Sequence, residues 1–240
     1  MKKLALFILI LTISGCNDAL PELELIEIDR NVRETYYDDA VELYIREILD
    51  NPNHFNYSNP NLDETELNKI LSVFQSVFNL EIPEIDTICN IYNIHTLKCI
   101  GTKSIVMHVN TEAPEIIKLA NGEFPTGNKQ LDYLLETYEF DSVRTSYSYP
   151  RFDWLSVNTD NTYNLLPIIK EFEKITSIVL AENNGGCFDG DNITLERKKN
   201  KATLDFSIGR GDCPAGCIYR KHWVFEVQNS LARLVKVYDR

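Results

Sequence analysis

Apolar residues recur along this chain with two different periods, and the change from one to the other organises the whole sequence. From Glu34 the period is helical, with Tyr37, Val41, Tyr44, Ile45 and Ile48 on one face. Asn51-Pro52-Asn53 stops that helix, and Tyr57 to Asn61 reads as a polar loop containing a proline. A second helix opens with Asp63 and Glu66 at capping-box spacing and continues through Leu67, Ile70, Leu71, Phe74, Val77 and Phe78. The two apolar stripes predict an antiparallel helix pair. Ile88 to His95 and Ser104 to Val109 are rich in β-branched residues and predict strands. Pro114 to Ala120 is a short helix stopped by Asn121-Gly122, and Leu131, Leu134, Leu135 and Tyr138 mark another. Val143 to Tyr149 and Phe152 to Val157 are strand-like, broken by Pro150.

Asp153–Val157, Leu165–Ile175 and Ser177–Ala181 then read as strand, helix and strand, a β-α-β unit. After it the period falls to two: Ile193 and Leu195; Leu204, Phe206 and Ile208; Trp223, Phe225 and Val227; Val235 and Val237. Lys199-Asn200, the Asp212-to-Gly216 loop and Asn229-Ser230 supply the turns. A meander with one apolar face has to be covered, and the preceding helices are its cover. The expected fold is α+β: an N-terminal helical half packed on a mixed sheet with a β-α-β unit and a C-terminal antiparallel meander. The expected domain is 32–240, with a helix-rich part at 32–145 and a β-rich part at 146–240.

The first residues stand outside that pattern. Lys2 and Lys3 precede an almost wholly apolar run, Leu4 to Leu11, and small residues lead into Cys16. As a helix, residues 4–13 would cover about 15 Å, half of a ~30 Å hydrocarbon core, so the run reads as a secretory signal and not a span. Ile13-Ser14-Gly15-Cys16 resembles the lipobox of bacterial lipoproteins. That resemblance implies a signal peptide at 1–15, lipidation at Cys16 and a tether at 16–31. It also implies a place in the bacterial envelope, on the outer membrane facing the periplasm or the cell surface. The formal net charge of −12 argues against nucleic acid as a partner, which needs a positive footprint. The bases that cluster from Arg197 to Lys221 read as charged hairpin tips or as a basic patch for an anionic partner.

In an exported chain, Cys89, Cys99, Cys187, Cys213 and Cys217 are disulfide candidates. A bend between Cys89 and Cys99 could join them, and Pro214-Ala215-Gly216 could close Cys213 on Cys217, with Cys187 an alternative partner for either. The stretch Gly209 to Trp223 contains Asp-Cys-Pro-Ala-Gly-Cys-Ile-Tyr-Arg. It resembles a loop of uncharacterised bacterial lipoproteins and secreted proteins. The likeness extends through Tyr92 to His95, Pro125 to Asn128 and Ala181 to Asn183, and implies kinship without an activity. The loop reads either as a structural hairpin end or as a recognition loop, with Arg210, Asp212, Tyr219, Arg220 and Lys221 as its binding candidates.

Asp189, Asp191 and Asn192 place oxygen donors on a glycine-rich loop, a calcium candidate that competes with a plain turn. His95 and His108 fall in neighbouring predicted strands, but no zinc spacing is present among the four histidines. No serine elbow, phosphate loop or dinucleotide fingerprint occurs, so no catalytic residue and no cofactor are assigned. Ile178 to Asn183 resembles the close of the propeptide and inhibitor domains of subtilisin-like proteases, which are ferredoxin-like folds. The expected role is a membrane-anchored binding or scaffolding module with an envelope protein or polysaccharide as partner. An envelope polymer-processing enzyme with a carboxylate site and a protease-inhibitor-like module are the alternatives.

Overall fold

The computed structural model describes residues 23–148, 151–186 and 188–240. Cys16, Pro150 and Cys187 lie outside them, so the signal, lipidation and Cys187 bridge expectations fall on residues not described. The element order is α1 (Arg30–Asp50), α2 (Glu64–Phe78), α3 (Pro83–Asp86), β1 (Ser104–Val109), α4 (Pro114–Ala120), α5 (Lys129–Thr137), β2 (Ser142–Ser148), β3 (Arg151–Asn158), α6 (Leu165–Phe172), β4 (Ile178–Asn183), then β5 (Asn192–Lys198), β6 (Lys201–Arg210), β7 (Tyr219–Gln228) and β8 (Leu231–Asp239). The fold is α+β, with two four-stranded sheets ordered β2-β3-β1-β4 and β5-β6-β7-β8. Among the described residues no helix is long and apolar enough to cross a membrane.

Two separate apolar cores form, and they do not follow a division at residue 145. The first joins α1 and α2 to the meander: Tyr44, Ile48, Ile70 and Phe74 meet Phe206, Trp223 and Phe225. Alternation turns one face of β5 to β7 inward, and the helix pair covers it as the pattern predicts. The second core lies wholly within 105–181, where Ile105, Met107, Leu155 and Val157 pack under α4, α5 and α6. The β1-to-β4 segment is therefore an insertion between the helices and the meander that share the first core.

Within the insertion every paired neighbour is antiparallel, so the sheet is not mixed. The expected β-α-β unit is present as β3-α6-β4, but β1 lies between its two strands. β3 and β4 run parallel to one another with β1 antiparallel to both, which is the split, ferredoxin-like arrangement. Local periodicity cannot report a strand inserted from elsewhere in the chain.

The predicted strand Ile88–His95 is a second correction. Pro83 starts a short helix, a π-turn spans Thr87–Ile91, and the chain then runs without regular structure to β1. Ile88 and Ile94 are β-branched because they fill the first core, not because they pair. In β8 a register shift opposite Val224 and Phe225 packs Ala232 and Leu234 against that core and leaves Val235 and Val237 half exposed.

Caps fix the helices that place the loops. Asp63 accepts from the Thr65 and Glu66 amides, and Asn128 caps α5 through Gln130 and Leu131. Asn164 caps α6 and also donates from Nδ2 to the Asn56 and Asn59 carbonyls, both at 3.1 Å, tying the insertion to the α1–α2 loop.

Candidate functional site

The most elaborate polar construction lies at the β6–β7 turn. Cys213 is bridged to Cys217 across a single 3-10 turn. Asp189 accepts from the Cys217 amide at 2.7 Å and the Gly190 amide at 2.9 Å, and pairs with Arg220. The Cys217 amide is the foremost cause holding the Asp189 carboxyl below its ordinary range, with the Gly190 amide and Arg220 adding to it. Arg220 donates in addition to the Gly190 carbonyl at 2.7 Å and Ser207 Oγ at 2.9 Å. Asp191 Oδ1 takes the Gly209 amide at 2.9 Å and Arg210 at 3.1 Å, while Asn192 Oδ1 takes the Leu97 amide at 3.1 Å and Arg46 at 3.3 Å.

That geometry corrects the calcium candidate. Asp189, Asp191 and Asn192 point at N–H donors and guanidinium groups, where a cation would need their oxygens converging on one point. Among the described residues no cluster that could hold a metal occurs. Asp189 and Asp191 instead staple the 188–191 segment to the meander, and Asn192 ties β5 to Leu97 and Arg46. Cys89 is a free thiol that receives a long contact from the Tyr36 hydroxyl at 3.7 Å, and burial pushes it up in pKa. Cys99 is disulfide-bonded, but not to Cys89, which overturns the expected bend between them.

Strand parity sorts the binding candidates. Tyr219 and Lys221 share the inner face of β7 at its start, beside Tyr92; Arg220 faces the other way and is consumed by Asp189. The Arg210 guanidinium stands 5.6 Å from the Tyr92 ring centre, Lys221 Nζ lies 5.3 Å from that of Trp223, and Tyr92 and Trp223 approach to 6.0 Å. A hydrogen bond to Asp239 raises the Tyr219 hydroxyl pKa. Ile91 and Ile218 project into solvent beside them, 64% and 79% exposed. Asp212 precedes the 3-10 turn without capping it. The result is an aromatic and aliphatic patch carrying two cations on a protein of net charge −12. Tyr92 and Ile91 were missed in the sequence because they come from a segment read as a strand.

The other polar residues are committed elsewhere. Arg197, counted by sequence among the bases of this end, is fully buried between Glu47 and Glu66 at the opposite end of β5. His95 Nδ1 contacts buried Asp39 at 2.7 Å, and Asp39 also accepts from the Thr96 amide and hydroxyl. His108 instead stands 3.5 Å from Asp153 on the insertion, so the two histidines do not meet. Buried Glu42 is taken up by Arg46 and the Cys99 amide. Burial pushes Asp205 up in pKa, opposed by His222, whose Nδ1 lies 3.0 Å away and whose ring stacks on Tyr238. Ser207 is not the third member of a triad, because its hydroxyl faces the Asn192 carbonyl and Arg220.

Fold and site together define a two-core α+β protein with an aromatic, aliphatic and basic patch at its disulfide-closed end. Set against known protein families, curated proteins and solved structures, the chain matches none.

Proposed function

We propose that this chain is a lipid-anchored, non-catalytic binding module of the bacterial envelope that offers its disulfide-closed end to a partner protein. One observation supports the reading: the first described residues and the patch lie at opposite poles of the meander. Ser230 Oγ in the β7–β8 turn donates to Glu24 at 3.1 Å, so the described start of the chain lies at that pole. β6 then runs ten residues, about 33 Å, to the Cys213–Cys217 loop. On this reading a lipid on Cys16 leaves the patch facing away from the bilayer. Exposed aromatic and aliphatic anchors with flanking cations are the composition of protein-contact surfaces.

A photo-crosslinking residue in place of Ile218, in the full anchored chain in cells, tests it. Adducts are expected there and not from the same residue at Leu231, on the anchor pole, and Tyr219→Ala should deplete them. Equal yields from both poles, or none from Ile218, would sink the reading. Cys16→Ala should abolish palmitate labelling; label that persists removes the anchor.

The split β-α-β sheet favours a second reading, a protease-inhibitor-like module, since the face of that sheet away from the helices exposes His108, Trp154 and Leu180. A subtilisin-like protease whose activity is unchanged by excess protein overturns it.

A further inference from the structure

The second core is not closed on all sides. Between the end of α4, the end of α5 and the start of β2 lies a groove of roughly 580 Å³. Its floor is apolar: Leu119, Leu135 and Phe140, with half-buried Val143. Phe124, 58% exposed, stands at the lip. A volume of this size falls in the range of ligand pockets and takes a large side chain with room for backbone.

The rim has one sign of charge. Glu123, Glu136, Glu139 and Asp141 line the opening, and among the described residues no basic one does. Glu139 accepts from Asn161 Nδ2 at 2.9 Å. Among the described residues the other three carboxylates show no side-chain hydrogen bond or ion pair. The nearest cations by sequence are turned elsewhere. Lys118 Nζ lies by Gly127 and acts on Asp132, and Arg144 points to the opposite face of β2 from Val143. Nucleic acid and anionic lipid are repelled by such a rim, and a bare cation gains nothing from the floor.

We infer that this groove binds a basic peptide segment, which buries one apolar side chain on the floor and sets flanking lysines or arginines against the rim. Among the described strands β2 is at the edge of its sheet, where an extended segment can add beside Val143. The apolar floor supplies the anchor and the carboxylates select the flanks. The surface belongs to the insertion, and its failure leaves the reading of the disulfide-closed pole untouched.

Fluorescence anisotropy with a labelled peptide of alternating lysine and leucine, titrated with the full chain at low salt, reads the binding. Saturable binding that weakens as salt rises is expected. Glu123→Gln with Glu136→Gln should weaken it about fivefold or more, from two exposed pairs. Glu81→Gln with Glu84→Gln, on the far unit, should leave it unchanged. Phe124→Ala approaches from the apolar side and should weaken binding without altering charge. A lysine and serine peptide that binds equally well, equal losses in both double variants, or no binding at all each overturns the proposal.

Discussion

Arg197→Met is the sharpest test of how the first core is held. The guanidinium is fully buried, with Nε 2.9 Å from Glu47 and NH1 2.8 Å from Glu66, whose side chain is 3% exposed. Methionine fits the aliphatic stem but strands the Glu66 carboxylate in the core. Removing one partner of a buried pair costs about 3–5 kcal/mol. Two features place this site at the low end. Lys69 remains on Glu66 at 2.6 Å, and Glu47 is part-exposed and can return to water. The expected loss is about 3 kcal/mol, or a melting temperature lower by about 6–12 °C for a chain of this size. The sequence has two tryptophans, and Trp223 lies in this core while Trp154 lies on the insertion. In a Trp154→Phe background, tryptophan fluorescence during urea unfolding reports the Arg197 core alone. Adding Glu66→Gln to Arg197→Met should recover more than half the loss, because the cost is the stranded charge and not the missing contact. A loss under about 1 kcal/mol, the range of exposed pairs, or a double variant that recovers nothing, refutes the buried-pair account.

Two further predictions concern groups on the same unit. Burial lowers the pKa of His54, with Glu47 and Glu66 opposing and Arg197 assisting, so the unfolded chain takes up its proton first, near pH 6.5. Stability is therefore full above pH 6.5 and falls on acidification, by up to about 1.4 kcal/mol per pH unit between the unfolded and folded values. Urea midpoints at neutral and mildly acidic pH should show this slope in the parent and lose it in His54→Gln; an unchanged slope assigns the effect elsewhere. In unreduced native protein, Cys213 and Cys217 should resist alkylation, and Cys89 should react faster once urea exposes it. Complete alkylation of Cys213 without reductant would falsify the bridge.

Legibility in this sequence followed the range of the interaction. The meander was readable because alternation, two-residue turns and the apolar face are all local to 192–239. The helix pair was readable for the same reason, although Tyr36 is the more deeply buried and Tyr37 packs at the core's margin with its hydroxyl on Glu64. What escaped was decided at a distance. The capping-box spacing of Asp63 and Glu66 is real, yet the Glu66 carboxylate turns inward to Arg197, 131 residues away, and leaves Asp63 to cap alone. The parity of Ile193, Leu195 and Arg197 places all three on one face of β5, so the burial of Arg197 had a signal, outweighed by the neighbouring lysines. Asp39 carried none, because its donors come from His95 and Thr96, and Glu42 signalled only its partner Arg46 one turn on, not the Cys99 amide. The acidic glycine loop was read for its oxygens when its meaning lay in the arginines opposite.

The two units stay joined through very little chain, and the residues at the joint explain how an insertion is accommodated. A Cβ on Gly101 would lie 2.8 Å from the Asn184 backbone, and one on Gly185 would lie 2.6 Å from the Gly101 amide. Both are nearer than a real Cβ comes, so the entering and leaving strands cross with backbone against backbone. The Asn184 amide closes the crossing on the Ser104 carbonyl at 2.8 Å. Because the ends of the insertion meet, the outer unit closes its core as though 104–183 were a surface loop, and loop length costs little once the ends are adjacent. Each core then completes itself without the other's side chains, and the disulfide-closed patch and the acid-rimmed groove are held by separate cores. Orientation is left to the contacts outside the crossing. Chief among them is Asn164, whose Nδ2 and backbone amide are spent on the carbonyls of Asn56, Asn59 and Pro60. A residue that caps its own helix from one side-chain atom and grips the neighbouring unit from the other fixes both at once. The relative placement of the two surfaces therefore runs in part through this one side chain.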